Sequence, residues 1–203
     1  MNSSAATGIV MATLLEAAPF IDSGFFTCID EKPLPVYRYG SFYLILSGIG
    51  KASAAIASTC LIMKYNTETM FNIGAAGATT GNIRFGDILH IESVIDYDRP
   101  KLTGSKMRYL KPDIIPGYKT VTLATQDKAV VSAEERERVG EHASLADMEG
   151  AGFVQACRTF QVKNYLFKIV TDTPADESHY QIIENIKNTR DLLYHFFINN
   201  FLS

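Results

Sequence analysis

An α/β fold is predicted from three features of this 203-residue sequence. Short apolar runs alternate with segments of helical length, several runs end at glycines or carboxylates, and no repeat, low-complexity tract or linker interrupts them. The chain is therefore read as one domain, residues 1–203, long enough to bury a substantial core.

The elements follow in order. Gly8-Ile-Val-Met-Ala-Thr13 is short, apolar and preceded by small polar residues, the mark of a buried strand. Strands at 25–29 and 36–39 flank the turn Asp30-Glu-Lys-Pro33, and a third covers 42–47. Gly48-Ile-Gly-Lys51 then leads into an alanine-rich helix over 52–65. A phosphate-cradling loop would need another glycine where Ile45 stands, so these glycines are read as a tight strand-to-helix turn. A strand over 70–74 runs into the glycine turn Gly74-Ala-Ala-Gly77, and another strand covers 87–95. Residues 96–116 are irregular, and 99–116 form the candidate lid or interface loop. A β-branched strand over 120–125 precedes Ser132-Ala-Glu-Glu135, which has the capping-box spacing of a helix start. A helix over 149–160, a strand over 165–170 and a last helix from near Ser178 complete the chain. The tail Leu192-Leu-Tyr-His-Phe-Phe-Ile198 spaces its apolar residues as a docking face does.

Composition excludes several classes. A net charge of −3 without a basic block argues against nucleic-acid binding. No apolar run reaches the ~18 residues of a membrane span, and residues 1–7 lack the Lys or Arg of a signal peptide. Cys28, Cys60 and Cys157 form no close pair and read as buried small hydrophobes in a reducing compartment, the cytoplasm by default. His90, His142, His179 and His195 have no ligand spacing, so no metal is expected.

Three acids carry the chemical reading. Gly8-Ile-Val-Met-Ala-Thr-Leu-Leu-Glu16 and Lys168-Ile-Val-Thr-Asp-Thr-Pro174 read as buried strands ending in Glu16 and Asp172, and Met148-Glu149 heads a helix. Ligands in open parallel sheets bind at the carboxyl ends of strands. Each acid alone has an ordinary explanation: an exposed acid on a first helix, a helix-start acid favoured by the macrodipole, or the cap of a turn at Thr173-Pro174. All three would have to hold together. Gly74-Ala-Ala-Gly77 could in turn present backbone N–H groups to an oxygen-rich ligand.

These stretches, with Ser47-Gly-Ile-Gly-Lys-Ala-Ser-Ala-Ala55, Asn72-Ile-Gly-Ala-Ala-Gly77, Gly86-Asp-Ile88, Asp147-Met-Glu-Gly-Ala151 and Val170-Thr-Asp172, resemble the nucleoside phosphorylase and nucleosidase superfamily in family order. The nearest likeness is the methylthioadenosine/S-adenosylhomocysteine nucleosidase branch. The resemblance implies a three-layer α/β/α fold around a mixed, partly barrelled sheet, a homodimer or higher oligomer, and cleavage of a purine nucleoside's N-glycosidic bond without a cofactor. It implies that Asp172 protonates the purine, that Glu149 binds the ribose hydroxyls above Met148, and that Glu16 activates water. Ile169, Val170 and Pro174 would give Asp172 an apolar wall to hold its proton. Ala75, Gly77, Val130 and Lys168 complete the implied substrate contacts.

Three positions depart from the family pattern. Ala75 stands where nucleosidases usually have serine, Lys168 where they have arginine, and Ala129 where an aromatic stacks on the base. The glycine turn also lacks the phosphorylases' phosphate-holding arginine, which favours water as the nucleophile. The resulting expectation is a purine nucleosidase acting on an adenine-type or futalosine-like nucleoside. The alternatives are a phosphorylase with its phosphate site built from Lys51, Arg84 or Lys168, and a member that binds a nucleoside without cutting it.

Overall fold

The computed structural model describes residues 5–99, 107–174 and 179–202. Its centre is a set of parallel strands. β1 (Thr7–Met11) lies between β4 (Phe42–Leu46) and β5 (Thr69–Ala78), and β5 also pairs in parallel with β10 (Lys163–Asp172). From β10 the sheet continues through β6 (Ile88–Asp96), β8 (Thr120–Thr125) and β9 (Leu145–Asp147), and β9 returns antiparallel to β5. These five strands close a ring, the barrelled part of a mixed sheet. β3 (Val36–Tyr39) and β2 (Thr27–Asp30) extend the open side beyond β4, and the two-residue β7 (Tyr109–Leu110) adds to β6.

Period-two alternation divides the apolar residues between two helical layers. Ile9, Met11, Phe71, Ile73, Phe167 and Ile169 pack with Ala17 and Phe20 of α1 (Leu14–Asp22) and Leu193 and Phe197 of α5 (His179–Phe197). Val10, Met70, Leu166 and Val170 face the other way, towards α2 (Lys51–Tyr65) and α4 (Gly150–Thr159). The three-layer α/β/α architecture follows from that split. His90, fully buried, ties in the stretch after β7: its Nδ1 lies 2.8 Å from the Leu166 carbonyl and its Nε2 accepts the Ile115 N–H at 2.9 Å. Burial holds its pKa below the ordinary imidazole value, so the ring serves as a neutral strut.

Several local expectations are corrected. The glycine turn at 74–77 is absent, because β5 runs unbroken through Ala78 with both glycines inside it. Four elements are additional: α1, which follows β1 directly, the two-residue β7 within the stretch read as irregular, the short β9, and a π-helical segment, Ile198–Leu202, after α5. Cys28 is exposed on edge strand β2 rather than buried. Within the loop at 99–116, residues 100–106 lie outside the described residues, as does Ser178 before α5. Ser132 does cap α3 (Ala133–Gly140), accepting the Glu135 N–H at 3.2 Å.

Candidate active site

The parallel strands β1, β5 and β10 point their carboxyl ends at one cavity of about 300 Å³, within the range of small-molecule sites. Among its lining residues are Glu16, Ala75, Gly77, Val130, Met148, Glu149 and Asp172. The acids, with Glu16 lying 133 positions from Glu149 and 156 from Asp172, therefore meet around one space. Lys168 does not line it. Its side chain is buried beneath, with Nζ 2.8 Å from Asp147 Oδ2.

Each acid is seated by its backbone surroundings. Glu16 belongs to the first turn of α1, not to the end of β1, where it closes a capping box with Thr13. Its Oε2 accepts from the Thr13 N–H at 3.0 Å and the Thr13 hydroxyl at 2.8 Å, and its Oε1 accepts the Ala75 N–H at 2.9 Å. The backbone donor foreseen for a ligand thus holds the catalytic candidate instead. A Cβ at Gly74 would come within 2.7 Å of Glu16 Oε1, and one at Gly77 within 2.6 Å of Asp172 Oδ2. Real Cβ atoms do not approach so closely, so the two glycines are cut-outs that admit two carboxylates against one strand.

Glu149 is the N-cap residue of α4, yet its side chain makes no cap bond there. Its Oε1 accepts the N–H of Gly50 at 3.0 Å, across the cavity's edge. Gly50, the N-cap residue of α2, has φ +105°, on the positive side of φ space that glycine enters without strain. Burial, reinforced by the Asp147 charge, pushes the Glu149 carboxyl up to about 7. Burial opposes the Lys168 charge, but Asp147 and Glu149 outweigh it and hold the ammonium above its ordinary value. Asp147 is itself saturated, taking the Thr125 hydroxyl at 2.6 Å and the Gly150 N–H at 2.8 Å besides Lys168.

Asp172 does not have the apolar wall anticipated from its neighbours. Ile169 and Val170 point into the two cores and Pro174 is exposed. The buried guanidinium of Arg136 sits beside it, with Nη2 2.5 Å from Asp172 Oδ2. Among the described residues the buried Asp, Glu, Lys and Arg side chains are Glu16, Arg136, Asp147, Glu149, Lys168 and Asp172, so all of them belong to this site or its base. Four acids against two bases leave a local excess of negative charge.

Sequence reasoning missed Arg136 and the structural duty of Asp147. It also missed Ile182, Ile183 and Ile186 of α5, which with Ile49 give the cavity an apolar wall. Arg136 has a faint trace in the sequence: it lies three residues before the apolar Val139, and these two are the buried residues of α3.

Residues 7–132 match the model of the phosphorylase superfamily, more than half of the chain, and the protein belongs to that superfamily. The 5'-methylthioadenosine/S-adenosylhomocysteine nucleosidase of Staphylococcus epidermidis is 29% identical over 154 residues, covering 64% of this chain and 67% of that protein. The fold is shared with the 5'-methylthioadenosine/S-adenosylhomocysteine nucleosidase of Helicobacter pylori solved with butyl-thio-DADMe-Immucillin-A: TM-score 0.84 and 20% identity, over 96% of this chain and 97% of that one. A futalosine hydrolase mutant of Helicobacter pylori aligns with TM-score 0.83 and 18% identity, again over 96% and 97% of the two chains.

The Glu149 shift yields a stability prediction. Its carboxyl rises from 4.5 to about 7 on folding, so within that window the native state holds more protons than the unfolded chain. Stability from this group is therefore lost as pH rises through the window. Relative to the wild type, Glu149→Gln should gain on the order of 2 kcal/mol between about pH 5 and about pH 8. Urea midpoints would measure it, and a difference independent of pH would contradict the assignment.

Proposed function

We propose that the protein is a purine nucleosidase, hydrolysing the N-glycosidic bond of an adenine-type or futalosine-like nucleoside to free base and a ribosyl product. The observation that carries this reading is the buried, net-negative cluster of Glu16, Asp147, Glu149 and Asp172 with Lys168 and Arg136 at one nucleoside-sized cavity. As the bond from the sugar's anomeric carbon to the base breaks, its electron pair leaves with the base and positive charge grows on the ring. Preorganised carboxylates stabilise such charge. Asp172 enters the step as the carboxylic acid, gives the departing base its proton, and is left as the carboxylate that pairs with Arg136. Glu149, over Met148, accepts hydrogen bonds from the ribose hydroxyls. Water attacks the anomeric carbon and passes a proton to Glu16.

Water is favoured over phosphate because the cations considered for a phosphate site are engaged or distant. Lys51 Nζ is paired with Asp96 at 3.0 Å and with Asp98, and lies 3.8 Å from Asp127. The N–H groups of Gly50 and Lys51 at the head of α2 are given to Glu149 and Asp127. Lys168 is committed to Asp147, and Arg84 is exposed and does not line the cavity. The wall of Ile49, Ile182, Ile183 and Ile186 suits an apolar 5′ substituent, such as the methylthio group in the relatives' substrate name.

The same reading treats residues 1–203 as one domain acting in the cytoplasm as a homodimer or higher oligomer. The free cysteines suit a reducing compartment, and no helix among the described residues is long and apolar enough to cross a membrane. Ile49, Ile56 and Met63 are exposed at seven-residue spacing, with Ile49 also on the cavity rim. A second copy covering that stripe would complete the rim. Light scattering should give at least twice the monomer mass, and Ile56→Lys with Met63→Lys should release monomers. A wild-type monomer at micromolar concentration would refute the dimer.

Incubation with adenosine, 5'-methylthioadenosine, S-adenosylhomocysteine and futalosine, with and without phosphate, tests the activity. Free base should appear without phosphate, and Asp172→Asn should slow its release by about 100-fold or more. Release that requires phosphate would make the protein a phosphorylase. No turnover of any bound nucleoside would make it a binding protein.

A further inference from the structure

Arg136 stands out because stability alone does not account for it. It is 2% exposed, on a helix whose Glu134, Glu137 and Arg138 are exposed, and its Nε has no partner among the described residues. A buried donor without an acceptor is costly, and a buried ion pair is weak evidence of stabilisation. What the side chain does achieve is geometric. Nη2 reaches Asp172 Oδ2 at 2.5 Å, while Nη1 donates to the Ala78 carbonyl at 2.9 Å. Ala78 ends β5, one residue beyond Gly77, whose missing Cβ makes room for the Asp172 carboxylate. The planar fork thus joins the end of β5 to the end of β10 across the slot in which Asp172 sits.

We propose that Arg136 is a positioning residue that acts on the substrate only through Asp172. With Oδ2 taken by the guanidinium, Oδ1, which among the described residues accepts the Thr171 hydroxyl at 3.1 Å, is the oxygen turned to the base. The clamp also reaches the cavity's rim. Glu135, the neighbouring residue on α3, accepts from Gln126 at 3.0 Å and lies 3.5 Å from Lys128. One helix therefore fixes both the acid and the segment 126–130, of which Lys128, Ala129 and Val130 line the cavity. This inference rests on the nucleosidase reading for its catalytic consequence, but not for its binding consequence.

Leaving-group dependence tests it. A purine needs a proton to depart, whereas 4-nitrophenolate leaves from 4-nitrophenyl β-ribofuranoside without one. Arg136→Met should lower kcat for a purine nucleoside by about 30-fold or more, with KM changed less than about threefold. Turnover of the nitrophenyl riboside should change less than about threefold, and Arg136→Lys should recover part of the purine activity. Equal losses on both substrates, or no loss on either, would overturn the proposal. The double variant Arg136→Met/Asp172→Asn removes both charges together, so it keeps the comparison available should Arg136→Met alone fail to fold. If the wild type cuts no nucleoside, the nucleosidase reading fails and adenine binding by calorimetry decides the clamp. The double variant should then bind like Asp172→Asn alone. Additive losses, or a wild type that does not bind adenine, would overturn the role assigned to Arg136.

Discussion

The site depends on the absence of two side chains. Gly74 and Gly77 lie three residues apart on β5, about 10 Å along a strand, and each leaves a gap that a carboxylate fills: Glu16 at the first, Asp172 at the second. The spacing of the two carboxylates is thereby set by backbone, which does not move with rotamers. Strand pairing makes that ruler stiff. β5 is bonded to β1 on one side and to β10 on the other, and an irregularity in β10 between Val170 and Asp172 shifts the register by one residue, so that Gly77 faces Asp172 rather than Thr171.

Around this ruler the protein concentrates the charge that it keeps from water. Burying an ionised group is expensive unless it is paired or hydrogen-bonded. Lys168 offsets Asp147, Arg136 offsets Asp172, and backbone N–H groups meet Glu16 and Glu149. The surplus remains negative, and burial together with the Asp147 charge raises the Glu149 carboxyl to about 7. A cation arriving in the cavity relieves it. In the proposed reaction that surplus is matched to an electron-poor sugar ring, which would bind more strongly than the ground-state substrate.

Much of the fold is legible in the sequence, because alternating apolar runs and glycine punctuation report burial and turns directly. The strands at 36–39 and 120–125 match in both bounds, and α2 and α4 nearly so. The glycines at 74 and 77 mislead, since a glycine in a strand for close approach looks the same as one in a turn until its neighbour is known. Of the site, the acids of the Met148-Glu149 and Thr171-Asp172 stretches are readable at strand and helix ends. Glu16 is readable as an acid but not as a helix residue, because Thr13 is both the end of an apolar run and the cap of α1. Arg136 is hidden in Glu134-Glu-Arg-Glu-Arg138, where a charged run reads as a solvated face. Its partner lies 36 positions away and only the fold brings the two together.

The central claim is that this buried negative cluster exists to stabilise positive charge on a sugar ring. The direct measurement compares two stable nucleoside analogues of the same shape, one with a protonated nitrogen in the sugar ring and one neutral there. The cationic analogue should bind at least about tenfold more tightly, and that preference should shrink in Glu149→Gln. Equal affinities, or a preference for the neutral ring, would contradict the account.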